Sequence, residues 1–310
     1  MERYDVIIIG SGPAGLTAGL YTGRSRLKTL IIDKFLPGGT LIKTEKIEDY
    51  PGFEEITGQE LAERMEKQTR KFGVEIITET VYEVLTVGNT KILRTDEGNE
   101  YRAGAVIVAA GGWPRKLGVP SENELAGKGV SYCALCDGPF FMDQDITVVG
   151  GGNTAVEEGD FLTKFAKKVY IIHRKNQFTA QRISQEKLFN NPKIEILWNT
   201  EVTEIGGKEG VEYVLTKNNT SGEQKRLDVT GIFIFIGFVP NNVREHAEHD
   251  KLGFIITNER METSVPGIYA VGDIRVQPVR QITNAVGDGT IAAVMAEKYL
   301  EKQDLLKRDR

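Results

Sequence analysis

Cysteine is scarce in this chain, with two residues in 310, and histidine is nearly as rare, with three. Two cysteines cannot staple a secreted fold, so nothing points to an oxidising compartment. Long apolar runs are also missing. The longest, such as 105–110 and 232–236, are strand length, well below the ~20 residues a membrane helix requires. Met1-Glu2-Arg3-Tyr4-Asp5 leads straight into the short apolar run 6–9, which lacks the length and cleavage site of a signal peptide. A cytoplasmic protein with no membrane attachment is expected. Excess positive charge is absent too: 39 Lys plus Arg face 44 Asp plus Glu, a net charge of −5. The basic tail (Lys307, Arg308, Arg310) is short and interrupted by Asp304 and Asp309. Nucleic acid selects for a concentrated basic surface, so it is not an expected partner.

The chain does carry an ordinary globular composition, 40% hydrophobic and 27% charged. Its length suits two domains of roughly 100–200 residues each. The organisation within that length is a duplication. Asp5-Val6-Ile7-Ile8-Ile9 runs into Gly10-Ser11-Gly12-Pro13-Ala14-Gly15, and an apolar helical pattern follows at Leu16, Ala18 and Leu20. Ile146-Thr147-Val148-Val149 runs into Gly150-Gly151-Gly152-Asn153-Thr154-Ala155, followed by Val156, Phe161 and Leu162. Each copy has the strand, glycine turn and helix of a dinucleotide fingerprint. Either turn alone would be weak evidence, since glycine-rich turns arise by chance. Both copies, however, also end on a continuous apolar strand closing in glycine (106–112 and 232–237), with Pro114 or Pro240 soon after. Such strands suit parallel sheets buried on both faces.

After the second copy the chain returns to a strand pattern at 267–272 and a helical pattern from Ala285 to Leu300. That segment is too short for a domain of its own, so it should complete the first unit. The expected fold is α/β, with two Rossmann-like dinucleotide-binding domains, the second inserted into the first. The first domain would comprise 1–113 and 244–310, and the second 114–243. Linkers near 113–117 and 239–244 would act as hinges between them.

The glycines suit a pyrophosphate. Gly10 and Gly150 permit a tight turn, Gly12 and Gly152 let backbone N–H groups approach, and Gly15 and Ala155 allow close helix–strand packing. The helix N-terminus adds partial positive charge, which makes Ser11, Pro13, Ala14, Asn153 and Thr154 candidate contacts as well. Thr29-Leu30-Ile31-Ile32-Asp33 brings a carboxylate 18 residues past Gly15, with Lys34 next to it. A carboxylate there accepts from an adenosine ribose and repels a 2′-phosphate, favouring FAD or NAD. At the corresponding place in the second copy stand His173, Arg174 and Lys175. Basic residues there accommodate a 2′-phosphate, and a solvated strand end is the plainer alternative. FAD is assigned to the split domain, and NADPH or NADH to the inserted one.

Ser131-Tyr132-Cys133-Ala134-Leu135-Cys136-Asp137-Gly138 lies just before the second dinucleotide strand. A zinc half-site would need two further ligands from His173, His246 and His249. A structural disulfide would close only a four-residue loop. A redox dithiol needs two cysteines that switch between thiol and disulfide, which C-x-x-C spacing provides. The two nucleotide folds favour the redox reading.

With these pieces in order, the chain resembles the low-molecular-weight thioredoxin reductases along essentially its whole length. The resemblance rests on 10–15, on Cys133-Ala134-Leu135-Cys136-Asp137-Gly138, on 149–158, on 263–273 and on Arg280-Gln281-Ile282-Thr283. It implies FAD, a nicotinamide donor, a homodimer, and thioredoxin or a similar small dithiol protein as substrate. By the same resemblance Asp273, after Gly272, would bond the flavin's ribityl chain, and Arg280, Gln281 and Ile282 would lie by its ring. Cys136 would face the flavin, Cys133 would exchange with the substrate, and Asp137 would be the general acid. A cap on the turn before Gly138 is the plainer role for Asp137.

The chain departs from the family's pattern at several positions. Lys175 and Thr179 stand where the coenzyme motif has arginines, and lysine lacks the bidentate fork. Thr40, after Gly38-Gly39, replaces a glutamine, Asp49 an asparagine, and Ala110 a threonine. The coenzyme departures predict a narrowed preference between NADPH and NADH. Two rival functions follow: a reductase of the same fold fed by ferredoxin or a reduced flavin protein, and a redox-silent nucleotide-binding regulator.

Overall fold

The computed structural model describes residues 3–44, 47–241 and 243–305. The chain opens with β1 (Arg3–Ile9), α1 (Pro13–Arg24), β2 (Thr29–Asp33), α2 (Gly58–Arg70) and β3 (Glu75–Thr78). Next come β4 (Val81–Val87), β5 (Thr90–Thr95), β6 (Glu100–Val108) and the short β7 (Gly112–Pro114). The middle of the chain carries β8 (Val130–Ser131), α3 (Ala134–Asp137), β9 (Asp145–Gly150), α4 (Asn153–Leu162) and β10 (Lys168–His173). It continues with α5 (Arg182–Phe189), β11 (Ile194–Trp198), β12 (Thr200–Gly206), β13 (Tyr213–Asn218), β14 (Gln224–Asp228) and β15 (Gly231–Phe235). The chain then closes with β16 (Phe238–Pro240), β17 (Ile268–Ala270) and α6 (Ile282–Lys302).

The chain divides into two compact units, 1–113 with 239–310, and 114–238. The first holds a seven-stranded sheet in the order β3-β2-β1-β6-β5-β4, with β17 also paired to β6. β1 is parallel to β2 and β6, and β17 is parallel to β6. Successive strand side chains point to opposite faces, so β1 feeds two cores. Val6 and Ile8 pack with Leu16, Ala18, Ala292 and Leu300 of α1 and α6. Ile7 and Ile9 pack on the other side with Val84, Leu93, Val243 and Ile255. Ile7 and Ile8 are fully buried, each burial stabilising by roughly 1.5–3 kcal/mol. A charge at Ile8 would break this layer.

The second unit repeats the plan with the sheet β11-β10-β9-β15-β8, parallel throughout, beside the antiparallel sheet β12-β13-β14. Ile146, Val148 and Phe233 face α4 and α5, while Val149, Ile232 and Ile234 face the three-stranded sheet. Both units are Rossmann-like and the second is inserted into the first. The chain rejoins the first unit at Val239, ahead of the expected residue 244. The reason lies in hydrogen bonding: Asn241 donates its N–H to Gly111 O at 2.9 Å and its Nδ2 to Ala110 O at 2.5 Å. Among the described residues no helix is long and apolar enough to cross a membrane.

Candidate active site

The first glycine turn joins β1 to α1. Gly10 has φ +102°, and a Cβ there would lie 2.4 Å from Ala109 O. At Gly15 a Cβ would lie 1.9 Å from Gly10 O, so helix and strand can meet this closely only with glycine. Gly12 is the N-cap of α1, with no side-chain cap, Pro13 follows it, and a Cβ there would meet nothing within 4 Å. Ala14 and Gly15 are buried in the helix's first turn. Amides of a first turn lack partners within the helix and carry its positive end. Open space before such donors fits a pyrophosphate.

Asp33 stands at the end of β2 beside this turn. Its Oδ2 accepts from Ser11 N at 2.5 Å and Ser11 Oγ at 2.6 Å, and its Oδ1 from Phe35 N at 3.0 Å. Gly38 N donates to Ser11 O at 2.9 Å, and a Cβ on Gly39 would sit 3.2 Å from Gly12 Cα. The Gly38-Gly39 loop therefore faces the glycine turn. Lys34 is exposed, its ammonium 5.1 Å from the Phe35 ring centre. Thr40 and Asp49 are exposed, the latter in the bend between Ile47 and Ile56.

The return segment supplies the other side. A Cβ on Gly272 would lie 3.1 Å from Ala14 Cβ, which puts this turn on the start of α1. Asp288 of α6 accepts Gly272 N at 3.0 Å and holds the Arg275 guanidinium in a fork at 2.7 and 3.0 Å. Asp273 accepts from Gln277 Nε2 at 3.0 Å. Burial pushes its carboxyl up, opposed by Arg280 and reinforced by Asp288. Gln277 Oε1 is buried without a hydrogen-bond partner among the described residues, an unmet acceptor that a ligand hydroxyl would satisfy. The Arg280 guanidinium lies 4.5 Å from the Phe254 ring centre. Burial pulls Arg280 down, against the pull of Asp273 and Asp250. Gln281 is the N-cap of α6, and Ile282 packs against Leu41, Ile47 and Ile56. Asp288, Arg275 and Gln277 were not anticipated. Asp288 could have been: it is a charge on the buried stripe of α6 that includes Ala285, Ala292 and Ala296.

The second glycine turn has the same shape. Gly152 caps α4 without a side-chain bond, and a Cβ there would meet nothing within 4 Å. Ala155 is fully buried, while Asn153 and Thr154 are exposed. Two clamps hold the segment after β10 onto the turn. Thr179 bonds Gly151 O through its N at 2.8 Å and its Oγ1 at 3.1 Å, and Gln181 N donates to Asn153 Oδ1 at 2.8 Å.

Arg174 and Lys175 are exposed, but His173 differs from its expected role as a cation there. Its ring is buried against Phe178 and Trp198, its Nε2 lies 3.0 Å from Gln177 O, and a Cβ on Gly151 would strike it. Burial pulls the imidazole below its ordinary range, and the ring forms the floor of the turn. Of the expected basic trio, Arg174 and Lys175 are exposed and His173 is buried.

Cys133 and Cys136 form a disulfide with Cα atoms 5.4 Å apart. Cys133 caps the one-turn α3: its Sγ accepts Cys136 N at 3.1 Å, and its carbonyl accepts Asp137 N at 3.1 Å. Asp137 does not cap the following turn with its side chain. Its Oδ2 instead accepts from Ser131 Oγ at 2.6 Å.

Two phosphate-shaped turns and a disulfide in one chain match a known pattern. The model of the pyridine nucleotide-disulphide oxidoreductases fits residues 4–289. The chain belongs to this family. Thioredoxin reductase from Bacillus subtilis is 47% identical over 98% of this chain and 97% of its own length. The crystal structure of thioredoxin reductase from Streptococcus pyogenes superposes with a TM-score of 0.91 at 45% identity, covering 97% of this chain and 99% of that one. Thioredoxin reductase from Giardia duodenalis superposes with a TM-score of 0.93 at 33% identity, covering 97% of this chain and 100% of that one. Membership in the pyridine nucleotide-disulphide oxidoreductases implies a flavin and a nicotinamide cofactor. The open glycine turns and the unmet Gln277 acceptor fit such groups.

Proposed function

We propose that this chain is a thioredoxin reductase in which NADPH or NADH reduces FAD, and the Cys133–Cys136 pair passes the electrons to thioredoxin or a similar small dithiol protein. The observation that carries this reading is the disulfide beside Asp137 in a chain with two glycine turns. FAD is assigned to the unit containing Gly10–Gly15, Asp33, Gly38–Thr40, Asp49, Asp273 and Arg280–Ile282. The nicotinamide coenzyme is assigned to Gly150, Gly152–Ala155, Arg174 and Lys175. A homodimer is expected from the family resemblance.

When bound, the flavin would deliver two electrons from the nicotinamide to the disulfide, with Cys136 on the flavin side. The two electrons and one proton from solvent leave Cys133 as a thiol and Cys136 as a thiolate, and Asp137 takes the Cys133 proton as its thiolate forms. That thiolate attacks one sulfur of the thioredoxin disulfide: a Cys133–thioredoxin bond forms and the thioredoxin S–S bond breaks. Asp137 returns its proton to the released thiolate. Cys136 then attacks Cys133, restoring their disulfide and releasing the second thioredoxin sulfur, which takes its proton from water.

The test is anaerobic titration of the purified yellow protein with NADPH or NADH, followed by oxidised thioredoxin. Bleaching by the nicotinamide and recovery of colour with thioredoxin is the expected result. No bleaching by either coenzyme would favour a ferredoxin-fed reductase or a redox-silent regulator.

A further inference from the structure

Ser131 ends β8 two residues before Cys133, and its side chain is buried. Its hydroxyl hydrogen has two acceptors in reach, Asp137 Oδ2 at 2.6 Å and the Cys133 carbonyl at 3.3 Å. A hydroxyl has one hydrogen to give, and the nearer, charged oxygen takes it. The 2.6 Å separation lies within the range of an O–H···O⁻ bond, about twice as strong as a neutral one. A lone pair of the same oxygen accepts the Cys133 N–H at 3.1 Å. One buried hydroxyl therefore ties the backbone of the first cysteine to the carboxylate of the acid.

The local structure gives this tie a role. α3 is a single turn of four residues and cannot by itself hold a carboxylate to one orientation. Tyr132, next along, is held by a separate bond to Glu122 at 2.8 Å. Ser131 and Tyr132 thus anchor the approach to Cys133 through two different partners. Misplacing a reacting group by about 1 Å costs on the order of a hundredfold in rate, so a fixed carboxylate has a kinetic consequence.

We infer that Ser131 is a positioning residue for proton transfer at the dithiol, acting by holding the Asp137 carboxylate in place against Cys133. This rests on the assignment of Asp137 as the acid. Ser131→Thr keeps the hydroxyl, and Ser131→Val has the shape of that threonine without one. The pair isolates the hydroxyl from the packing.

The experiment measures single-turnover thioredoxin reduction by prereduced, flavin-loaded enzyme in six forms. These are the parent, Ser131→Ala, Ser131→Thr, Ser131→Val, Asp137→Asn, and the Ser131→Ala/Asp137→Asn double variant. Ser131→Ala and Ser131→Val are expected to slow the step about tenfold without changing the thioredoxin KM, and Ser131→Thr to stay near the parent. In the Asp137→Asn background, Ser131→Ala should slow the step no further. Equal losses in both backgrounds, or equal rates for the Ser131→Thr and Ser131→Val variants, would overturn the inference. A parent-like rate for Asp137→Asn would sink the acid assignment itself, a separate and recognisable failure.

Discussion

Tyr132 donates its hydroxyl to Glu122 Oε1 at 2.8 Å, while the same carboxylate receives Leu117 N at 3.0 Å and Gly118 N at 2.7 Å. The residue beside the first dithiol cysteine is thereby bonded to the carboxylate that pins the segment just after the first chain crossing. Glu122 is almost fully buried, and these three donors meet its carboxyl oxygens. Burial and this carboxylate both push the Tyr132 phenol far above its ordinary range, burial being the larger cause.

Tyr132→Phe removes one donor and leaves the two amide bonds in place. It should destabilise the second unit by about 1 kcal/mol, whereas Glu122→Ala, which orphans two amides and a phenol, should cost roughly 2–4 kcal/mol. Urea unfolding of the flavin-loaded protein reads both. Equal, negligible losses would mean that the carboxylate does not anchor this segment.

The dithiol roles are separable by colour. With Cys136 on the flavin side, Cys133→Ser should leave a thiolate next to oxidised FAD and produce a long-wavelength charge-transfer band. Cys136→Ser should give none. Both variants should lose thioredoxin reduction and keep nicotinamide-driven bleaching. A band in Cys136→Ser alone would exchange the two assignments.

On the proposed assignment coenzyme choice rests on Arg174 and Lys175, since His173 is turned inward and Thr179 is engaged with Gly151 O. Arg174→Gln should raise the NADPH KM about tenfold or more and leave that for NADH within about twofold. Lys175→Arg with Thr179→Arg should lower the NADPH constant, because the Thr179 N–H bond to Gly151 O survives the change of side chain. Steady-state kinetics with both coenzymes would decide. An unchanged NADPH constant in both variants would move the 2′-phosphate site elsewhere.

His173 gives the second unit a pH dependence of definite sign. Burial lowers its affinity for a proton below the ordinary value near 6.5. The unfolded chain therefore binds that proton first on acidification. Its contribution to stability is complete above about 6.5 and is lost as pH falls through the folded-state value. The urea midpoint, followed by the fluorescence of Trp198 beside this ring, should drop between about pH 7.5 and 5.5. The drop should be smaller in His173→Phe, and identical drops would assign the dependence to other groups.

The fold was legible in the sequence because its key features are carried by residue identity. Gly10 and Gly15 announce a turn that no other residue fits, and the unbroken apolar runs of β1, β6, β9 and β15 announce strands covered on both faces. The dithiol was legible from its spacing. The supporting groups were not, because each acts through a neighbour distant in sequence or hidden by the fold. Nothing local to Asp288 names Gly272 and Arg275 as its partners. Glu122 reads as one more surface acid until Tyr132 folds over it. His173 reads as a cation because its basic neighbours suggest charge, whereas Phe178 and Trp198 enclose it. The return to the first unit was placed late because the Asn241 bonds that mark it leave no signature in composition.

The glycines of each turn divide into two kinds of vulnerability. Gly10 and Gly15 face backbone at 2.4 and 1.9 Å, so a methyl group there damages the protein itself. Gly12 and Gly152 have extended backbones at φ −69° and −88° and empty space where a methyl group would go. Alanine at either position would be folded, abundant and durable, and on the proposed assignment would still obstruct the phosphates. A population surveyed only for protein level would count such alleles as healthy. On that assignment selection sees them only through the cofactor, so these two positions are guarded by function alone, while their neighbours a few residues away are guarded by folding.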